Sequence, residues 1–274
     1  MMGSPNTARR AASFAAALTS AVAVVGAGQP ASATHTQVTA VKGSAFGYHA
    51  HSIALFGGAQ PDTGPTPTVT LAADASNSPQ TATASTGLVQ YGPATLFTSD
   101  QIDVRATGSL GTTGSVTTSS EANNVNKATT QPSTGSEILT ADRIASTCTA
   151  SPSGVTRSTT ITNGTLRTDS GLDTNGDGDY DDAGDHPPMV VALPSNPAPG
   201  AFYDGHIHLS ATSRDDFRVV LNEQVTNSDG SRSVTAVHEN FGTSQQSVLK
   251  GHLLVGQSAC AVTTRRVPHR GGGR

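Results

Sequence analysis

Apolar and polar residues alternate in short runs along most of the chain, and Gly, Asn or Pro separates one run from the next. Side chains of a strand point to opposite faces in turn, so this alternation is typical of strands that bury one face. After residue 33 no stretch has the spacing of an amphipathic helix. The pattern predicts an all-β protein, an antiparallel, sandwich-like single domain with long irregular loops. The predicted strands cover residues 44–56, 66–72, 88–98, 101–107, 158–167, 217–225, 231–238, 247–255 and 258–264.

Turn-forming residues predict two hairpins. Asn163-Gly164 divides the segment 158–167, and this dipeptide accepts the positive φ angles of a two-residue hairpin turn. The sequence Asn-Ser-Asp-Gly at 227–230 separates the strands 217–225 and 231–238. We therefore expect each of these two segments to fold back on itself.

The first residues have the order of a secretory signal peptide. Arg9 and Arg10 provide positive charge, residues 11–25 are apolar, and an Ala-Ser-Ala site follows at 31–33. That order is typical of a segment cleaved during export, and the apolar run is shorter than the about 20 residues needed to span a bilayer as a helix. We predict that residues 1–33 are removed and that the protein is secreted. The paired arginines leave the general and the twin-arginine export routes both open.

Three segments of the mature chain lack a clear strand pattern. Residues 109–136 are mostly Ser, Thr, Gly and Asn, which predicts a loose loop with one solvated strand at 114–119. The proline-rich stretch 187–200 predicts a stiff crossover, and 265–274 predicts a disordered basic tail. These boundaries leave residues 34–264 as one secreted β domain.

Composition and motifs exclude several functions. Charged residues make up 13% of the chain and the formal net charge is −4, so a clustered basic surface for nucleic acid is not expected. The sequence contains no serine-nucleophile elbow, phosphate-binding loop, dinucleotide fingerprint or zinc-protease helix. We predict a non-enzymatic protein with a structural or binding role at or outside the cell envelope. Its ligand is unknown, and its mature chain has no transmembrane anchor.

The chain has two cysteines, Cys148 and Cys260. In an oxidising compartment an isolated pair most simply forms one disulfide bond. The alternative is two buried free thiols. The predicted secretion favours the disulfide.

The densest acidic segment, D-T-N-G-D-G-D-Y-D-D-A-G-D at 173–185, matches part of a calcium-binding loop. Such loops place oxygen ligands at alternating positions around a glycine at the sharp turn. Gly178 occupies the position of that glycine. The residues at the first, third, fifth, seventh and ninth positions are Asp173, Asn175, Asp177, Asp179 and Asp181.

The last ligand position of the loop departs from the pattern. Gly184 stands where a bidentate carboxylate is expected, although Asp182 and Asp185 lie on either side of it. We predict a calcium ion with a structural role, bound by a loop without flanking helices. The alternative is an acidic, flexible surface loop without a metal.

Two histidine pairs, His49/His51 and His206/His208, each place two imidazoles on one face of a predicted strand. If the two strands were neighbours, the four side chains could hold zinc or copper. The alternative is a polar strand surface that faces solvent. A metal-dependent hydrolase that uses these histidines is the second function that the sequence allows.

A second set of polar residues lies in the predicted hairpin that turns at 227–230. Glu223 and Gln224 are expected near His238 and Glu239 on the opposite strand. A carboxylate and a histidine are the minimum for acid–base catalysis. Polar residues in a β core are more often structural, because buried polar groups require hydrogen-bond partners.

Six short phrases lie in order along the mature chain: Ala45–Tyr48, Ser146–Ala150, Ser158–Thr160, Leu221–Gln224, Val234–His238 and Gly256–Cys260. Taken together, they resemble the choice-of-anchor P family, which comprises secreted proteins of high-G+C Gram-positive bacteria. The resemblance covers most of the mature chain and implies an extracellular β domain of unknown activity, with no catalytic residues to transfer. Members of that family carry varied C-terminal anchors. This sequence has no sorting motif, closing apolar helix or lipid-attachment cysteine, so we expect free secretion or non-covalent retention at the cell wall.

Overall fold

The computed structural model describes residues 34–91, 94–128, 138–210, 212–243 and 247–268, and the predicted signal peptide lies outside these ranges. The regular elements in the described ranges are all strands, which confirms the all-β prediction. None of the described residues belongs to a helix that is long and apolar enough to cross a membrane. The strands are β1 (Thr34–Leu55), β2 (Gly58–Ala59), β3 (Thr63–Thr70), β4 (Gln80–Ala84), β5 (Gly87–Tyr91), β6 (Ala94–Ser99), β7 (Ile102–Ser109), β8 (Ser115–Ala128), β9 (Ile138–Ser151), β10 (Gly154–Thr162), β11 (Thr165–Asp169), β12 (Met189–Ala192), β13 (Ala201–Ser210), β14 (Ser213–Thr226), β15 (Arg232–Phe241) and β16 (Leu249–Pro268).

The strands form one curled sheet with two layers that face each other. The first layer has the order β3-β1-β16-β15-β14-β13, and the second has the order β4-β7-β8-β9, with β10 and β11 along the far edge of β9. Strand β16 packs against β8 and β9, and β1 packs against β7 and β8. A parallel contact between β11 and β13, through Asp169 and His206, joins the two layers.

The core fills the space between the layers because each strand turns alternate side chains inward. In β7, for example, Ile102, Val104 and Ala106 are buried, whereas Asp103 and Arg105 point outward. Burying such apolar side chains stabilises the fold by about 1.5–3 kcal/mol for each large one.

The predicted disulfide is confirmed. It connects Cys148 of β9 to Cys260 of β16, with a Cα–Cα distance of 5.7 Å. Both cysteines are fully buried, in a cluster that includes Val116 and Val234. The bond therefore links the two layers within this smaller cluster of the core.

The long strands β1 and β16 pair from Thr34 opposite Pro268 to Leu55 opposite Leu249. Residues 265–268 thus belong to β16, and the prediction that the tail is disordered from residue 265 is wrong for these four. The cause is that the start of β1 supplies backbone partners for them. Residues 269–274 lie outside the described ranges.

The hairpin predicted at Asn163-Gly164 is wrong. Thr162 pairs with Arg143 and Thr165 pairs with Thr140, so β10 and β11 continue in one direction along the same edge of β9. Asn163 does take a positive φ of 50°. The result is a kink between β10 and β11, because the backbone of β9 provides pairing partners for the residues on both sides of Asn163.

The hairpin between β14 and β15 is confirmed, with Thr226 opposite Arg232. Its turn is closed by the Asn227 N–H, which donates to the carbonyl of Ser231 at 2.9 Å. This turn combines an Asn at its start with Gly230 at a positive φ of 81°, so the local sequence and the tertiary pairing favour the same structure.

The strand predicted at 114–119 overlaps the start of β8, but it is not solvated, and the loose loop expected after it is wrong for residues 120–128. Strand β8 lies between β7 and β9 in the second layer, and its Thr118 and Ser120 are fully buried. The Thr118 hydroxyl donates to the carbonyl of Ala259 in the opposite layer at 3.2 Å. Short polar side chains thus fill part of the interface between the layers and interrupt the apolar alternation between Val116 and Ala122. The remainder, 129–137, lies outside the described ranges.

The proline-rich crossover needs a smaller correction. Four of its residues, Met189–Ala192, form β12 and pair with β11. The rest of 187–200 has no strand. The segment therefore both covers the edge of β11 and returns the chain to β13.

Candidate metal centre

The centre begins at the junction of the two layers, where the end of β11 meets β13. Asp169 lies opposite His206 in the parallel pairing. The Ser170 N–H donates to the carbonyl of His206 at 3.2 Å, and the His208 N–H donates to the Ser170 hydroxyl at 2.9 Å. These bonds fix the Asp169 carboxylate over the outward face of β13.

Three imidazoles surround that carboxylate. Asp169 Oδ2 lies 3.1 Å from His206 Nε2 and 3.8 Å from His186 Nδ1. Asp169 Oδ1 lies 3.5 Å from His208 Nε2. The ligand atoms of Asp169, His186 and His208 all fall within 4.8 Å of one another. Side-chain exposure is 15% for Asp169 and His208, so the group is sheltered but reachable.

His208 has the protonation state that a metal ligand needs. Burial lowers its pKa; the Asp169 carboxylate opposes this effect, whereas His206 and His186 reinforce it. Its Nε2 atom is buried and makes no hydrogen bond. A neutral imidazole whose Nε2 atom faces a carboxylate without a hydrogen bond supplies, together with that carboxylate, donor groups for zinc or copper(II).

His186 comes to the centre at the end of the acidic loop. The Leu172 N–H donates to the carbonyl of His186 at 2.9 Å, and the His186 N–H donates back to Leu172 at 3.0 Å. This pair of bonds closes the loop 173–185 at its base. The conformation of the loop therefore determines where one imidazole of the centre lies.

The acidic loop itself is organised by its own carboxylates. Asp173 accepts hydrogen bonds from the N–H groups of Gly176 at 2.5 Å and Gly178 at 2.9 Å. Asp185 accepts from the N–H and the hydroxyl of Thr174 at 2.7 and 2.6 Å. These hydrogen bonds lower the pKa of the Asp185 carboxyl, so the loop is built around charged acceptors.

Among the predicted calcium ligands, the structure brings Asp177 and Asp179 together with Asp182, their carboxylate oxygens within 4.8 Å of one another. Asn175 donates through Nδ2 to both Asp177 and Asp182. Asp182 is one of the two residues that the sequence offered for the last ligand position. Asp173 and Asp181 do not join this group. The Asp173 carboxylate instead accepts the loop N–H groups of Gly176 and Gly178, and the Asp181 N–H donates to Asp179 Oδ1 at 3.1 Å.

The two predicted histidine pairs do not meet. His49 and His51 lie on β1 and His206 and His208 lie on β13, with β16, β15 and β14 between them. Four strand spacings correspond to about 19 Å. The partners of the β13 pair are instead Asp169 and His186, which sequence reasoning missed. The available signal was weak: both residues flank the acidic loop.

The other predicted set forms in part. Glu223 Oε2 lies 2.7 Å from His238 Nδ1 across β14 and β15. Gln224 instead donates to Asn222 Oδ1 at 3.0 Å, and Glu239 is fully buried within the core. The structure thus retains one carboxylate–imidazole pair from the four residues.

An open cleft of about 740 Å³ adjoins the centre, with His206 in its wall. The arginines that line it are already paired. Arg218 binds Asp204 through two bonds of 2.6 and 2.9 Å, and Arg214 lies 3.0 Å from Asp216. The charge of the cleft is therefore largely balanced within the protein.

Together the fold and the centre define a disulfide-linked, two-layered β protein with a histidine–aspartate cluster at the junction of its layers. The chain matches no protein-family model, no curated protein and no solved structure. The resemblance to the choice-of-anchor P family therefore stays a prediction.

Proposed function

We propose that the protein is a secreted binding module of the cell envelope that holds a transition-metal ion, zinc or copper(II), at Asp169, His186, His206 and His208. The observation that carries this proposal is the Nε2 atom of His208, which is buried, makes no hydrogen bond and faces Asp169. An imidazole nitrogen that is shielded from water without a partner costs free energy. A metal ion would satisfy it together with the carboxylate.

Secretion is supported by the disulfide. A buried cross-link between the layers forms and persists in an oxidising environment, which is typical of extracellular proteins. We keep the predicted signal peptide at 1–33 as the route. Retention at the cell wall remains part of the proposal.

Calcium has a structural role in this proposal. The carboxylates of Asp177, Asp179 and Asp182 converge at one side of the acidic loop, where their mutual repulsion would be relieved by a divalent cation with oxygen ligands. Because the loop ends at His186, a calcium ion would also restrict the position of that imidazole. The loop would thus support the metal centre without contacting the transition metal.

Isothermal titration with zinc chloride and copper(II) sulfate tests the centre. The protein is first stripped with a chelator and then kept in millimolar calcium, which occupies the acidic loop. The double variant His206→Ala/His208→Ala should lose one equivalent of bound metal relative to the wild type. His35→Ala is the matched control, because His35 is exposed at the start of β1, and it should titrate as the wild type does. Unchanged stoichiometry in the double variant would overturn the proposal.

A second candidate function is metal-dependent hydrolysis, which the cleft beside His206 favours. A zinc ion with an open position lowers the pKa of its bound water to about 7 and so supplies hydroxide at neutral pH. Chromogenic ester and phosphoester substrates test this candidate. Turnover that needs zinc and is lost in Asp169→Asn would support it, and absence of turnover in the zinc-loaded protein would leave binding as the function.

A further inference from the structure

The outward face of the first layer carries a second group of histidines, distant from the centre at β13. His49 and His51 of β1, His252 of β16 and His238 of β15 follow one another across three neighbouring strands. Successive ring centroids are 4.9 Å apart from His49 to His51, 4.9 Å from His51 to His252 and 5.3 Å from His252 to His238. Glu223 of β14 ends the row.

The position of Glu223 depends on a kink in β14. Val220 lies opposite His238 and points outward, whereas Leu221 and Asn222 are both buried. Asn222 takes a positive φ of 51°. In a regular strand Glu223 would point inward, three positions after Val220. The kink turns its carboxylate onto the outer face, beside His238.

Glu223 then determines which nitrogen of His238 is free. Its charged carboxylate accepts the Nδ1 proton of His238 at 2.7 Å, and that hydrogen bond is the main cause of the lowered pKa of Glu223. In the neutral ring of His238 the lone pair is therefore on Nε2. A metal-binding histidine usually donates its other ring N–H to a carboxylate in this way.

The free nitrogen of His238 points at another imidazole nitrogen. His238 Nε2 lies 3.2 Å from His252 Nδ1. Two nitrogens that share a tetrahedral zinc ion at 2.0–2.1 Å each are about 3.3–3.4 Å apart, so the pair already has nearly that separation. Burial lowers the pKa of His252, as do its neighbours His238 and His51, and a neutral ring is the form that binds metal.

We propose that His238 Nε2 and His252 Nδ1 form a second binding site for zinc or copper(II), with Glu223 as the residue that orients His238 and with solvent or an external ligand at the remaining positions. On binding, the proton of His252 moves to its Nε2, so that both facing nitrogens donate lone pairs and no proton is released. His51, stacked on His252, is the third imidazole of the neighbourhood. Because the face is partly exposed, the ion would be accessible to donor groups of another molecule.

The experiment uses the His206→Ala/His208→Ala protein, in which the first centre is deleted, in the same calcium-containing buffer. One equivalent of copper(II) or zinc should still bind. Adding His238→Ala or His252→Ala should remove it, whereas adding His49→Ala, on the same face but farther from the nitrogen pair, should not. Glu223→Gln should weaken binding by about 10–100-fold with unchanged stoichiometry, as expected for a positioning residue.

Electron paramagnetic resonance of the copper(II)-loaded double variant provides an independent measurement that needs no change at the second site. Hyperfine coupling to imidazole nitrogens is expected. A double variant that binds no metal, or that binds it equally after loss of both His238 and His252, would overturn this proposal, and the close nitrogen pair would then be an N–H···N hydrogen bond only. Failure of the first centre is distinct, since it would leave the double variant equal to the wild type.

Discussion

Removal of the Cys148–Cys260 disulfide tests how the two layers are held together. The bond joins residues with a sequence separation of 112. On the chain-entropy model, closing a loop of that length lowers the entropy of the unfolded chain enough to stabilise the fold by about 4.8 kcal/mol at 25 °C. Marginal domains are stable by about 5–15 kcal/mol in all, so the cross-link is a large fraction of the total.

The expected magnitude differs between two ways of removing the bond. Reduction in denaturant followed by refolding removes the cross-link but keeps both sulfur atoms in the core. Cys148→Ala/Cys260→Ala also removes buried atoms, because both side chains are fully buried, and should cost more than reduction does. A loss of about 4.8 kcal/mol corresponds to a fall in Tm of roughly 10–19 °C for a domain of this size.

Urea unfolding followed by far-ultraviolet circular dichroism measures the change, with thermal unfolding as a check. Oxidised wild type, reduced wild type and the alanine pair are compared at equal concentration. A reduced protein that loses less than about 1 kcal/mol would refute the reasoning. That result would mean that residual structure already restricts the reduced unfolded chain, or that strain in the folded state offsets the entropic gain.

Three further predictions concern the acidic loop, the histidines and export. Calcium at ten times its Kd should raise the free energy of unfolding by about 1.4 kcal/mol and slow proteolysis of the loop, and Asp177→Ala should abolish both effects in a thermal and a protease assay. Burial lowers the pKa of His49, His208 and His252 below 6.5, so below that pH the unfolded chain binds more protons than the folded chain. In metal-free buffer the free energy of unfolding should therefore keep the full contribution of these groups above about pH 6.5 and lose it as the pH falls through their folded pKa values. Urea midpoints that stay constant between about pH 7.5 and about pH 5 would contradict this. Mass spectrometry of the secreted protein should show cleavage after Ala33, and a product that retains residue 1 would contradict it.

The sequence determined the class of fold because alternation of apolar and polar residues has only one regular interpretation, a strand with one buried face. It also predicted the disulfide, since two cysteines allow one intramolecular pairing and the predicted secretion favours it, and the β14–β15 hairpin, where the turn residues agree with the pairing. It predicted only a solvated strand at 114–119 and missed the rest of β8, because Thr118 and Ser120 stand between Val116 and Ala122 on the inward face and interrupt its apolar pattern. Small hydroxyl side chains have the same pattern in a loop.

The tertiary structure alone decided the candidate sites. Asp169 and His208 come together through a parallel contact between β11 and β13, which residues 170–200 separate along the chain, and His186 joins them because a loop closes at its base. His238 and His252 face each other because antiparallel register places them diagonally, and Glu223 reaches them through a kink at a buried residue. Residue spacing along a chain specifies which face a side chain takes within its own strand. Which strand lies next to it is set by the packing of the whole sheet.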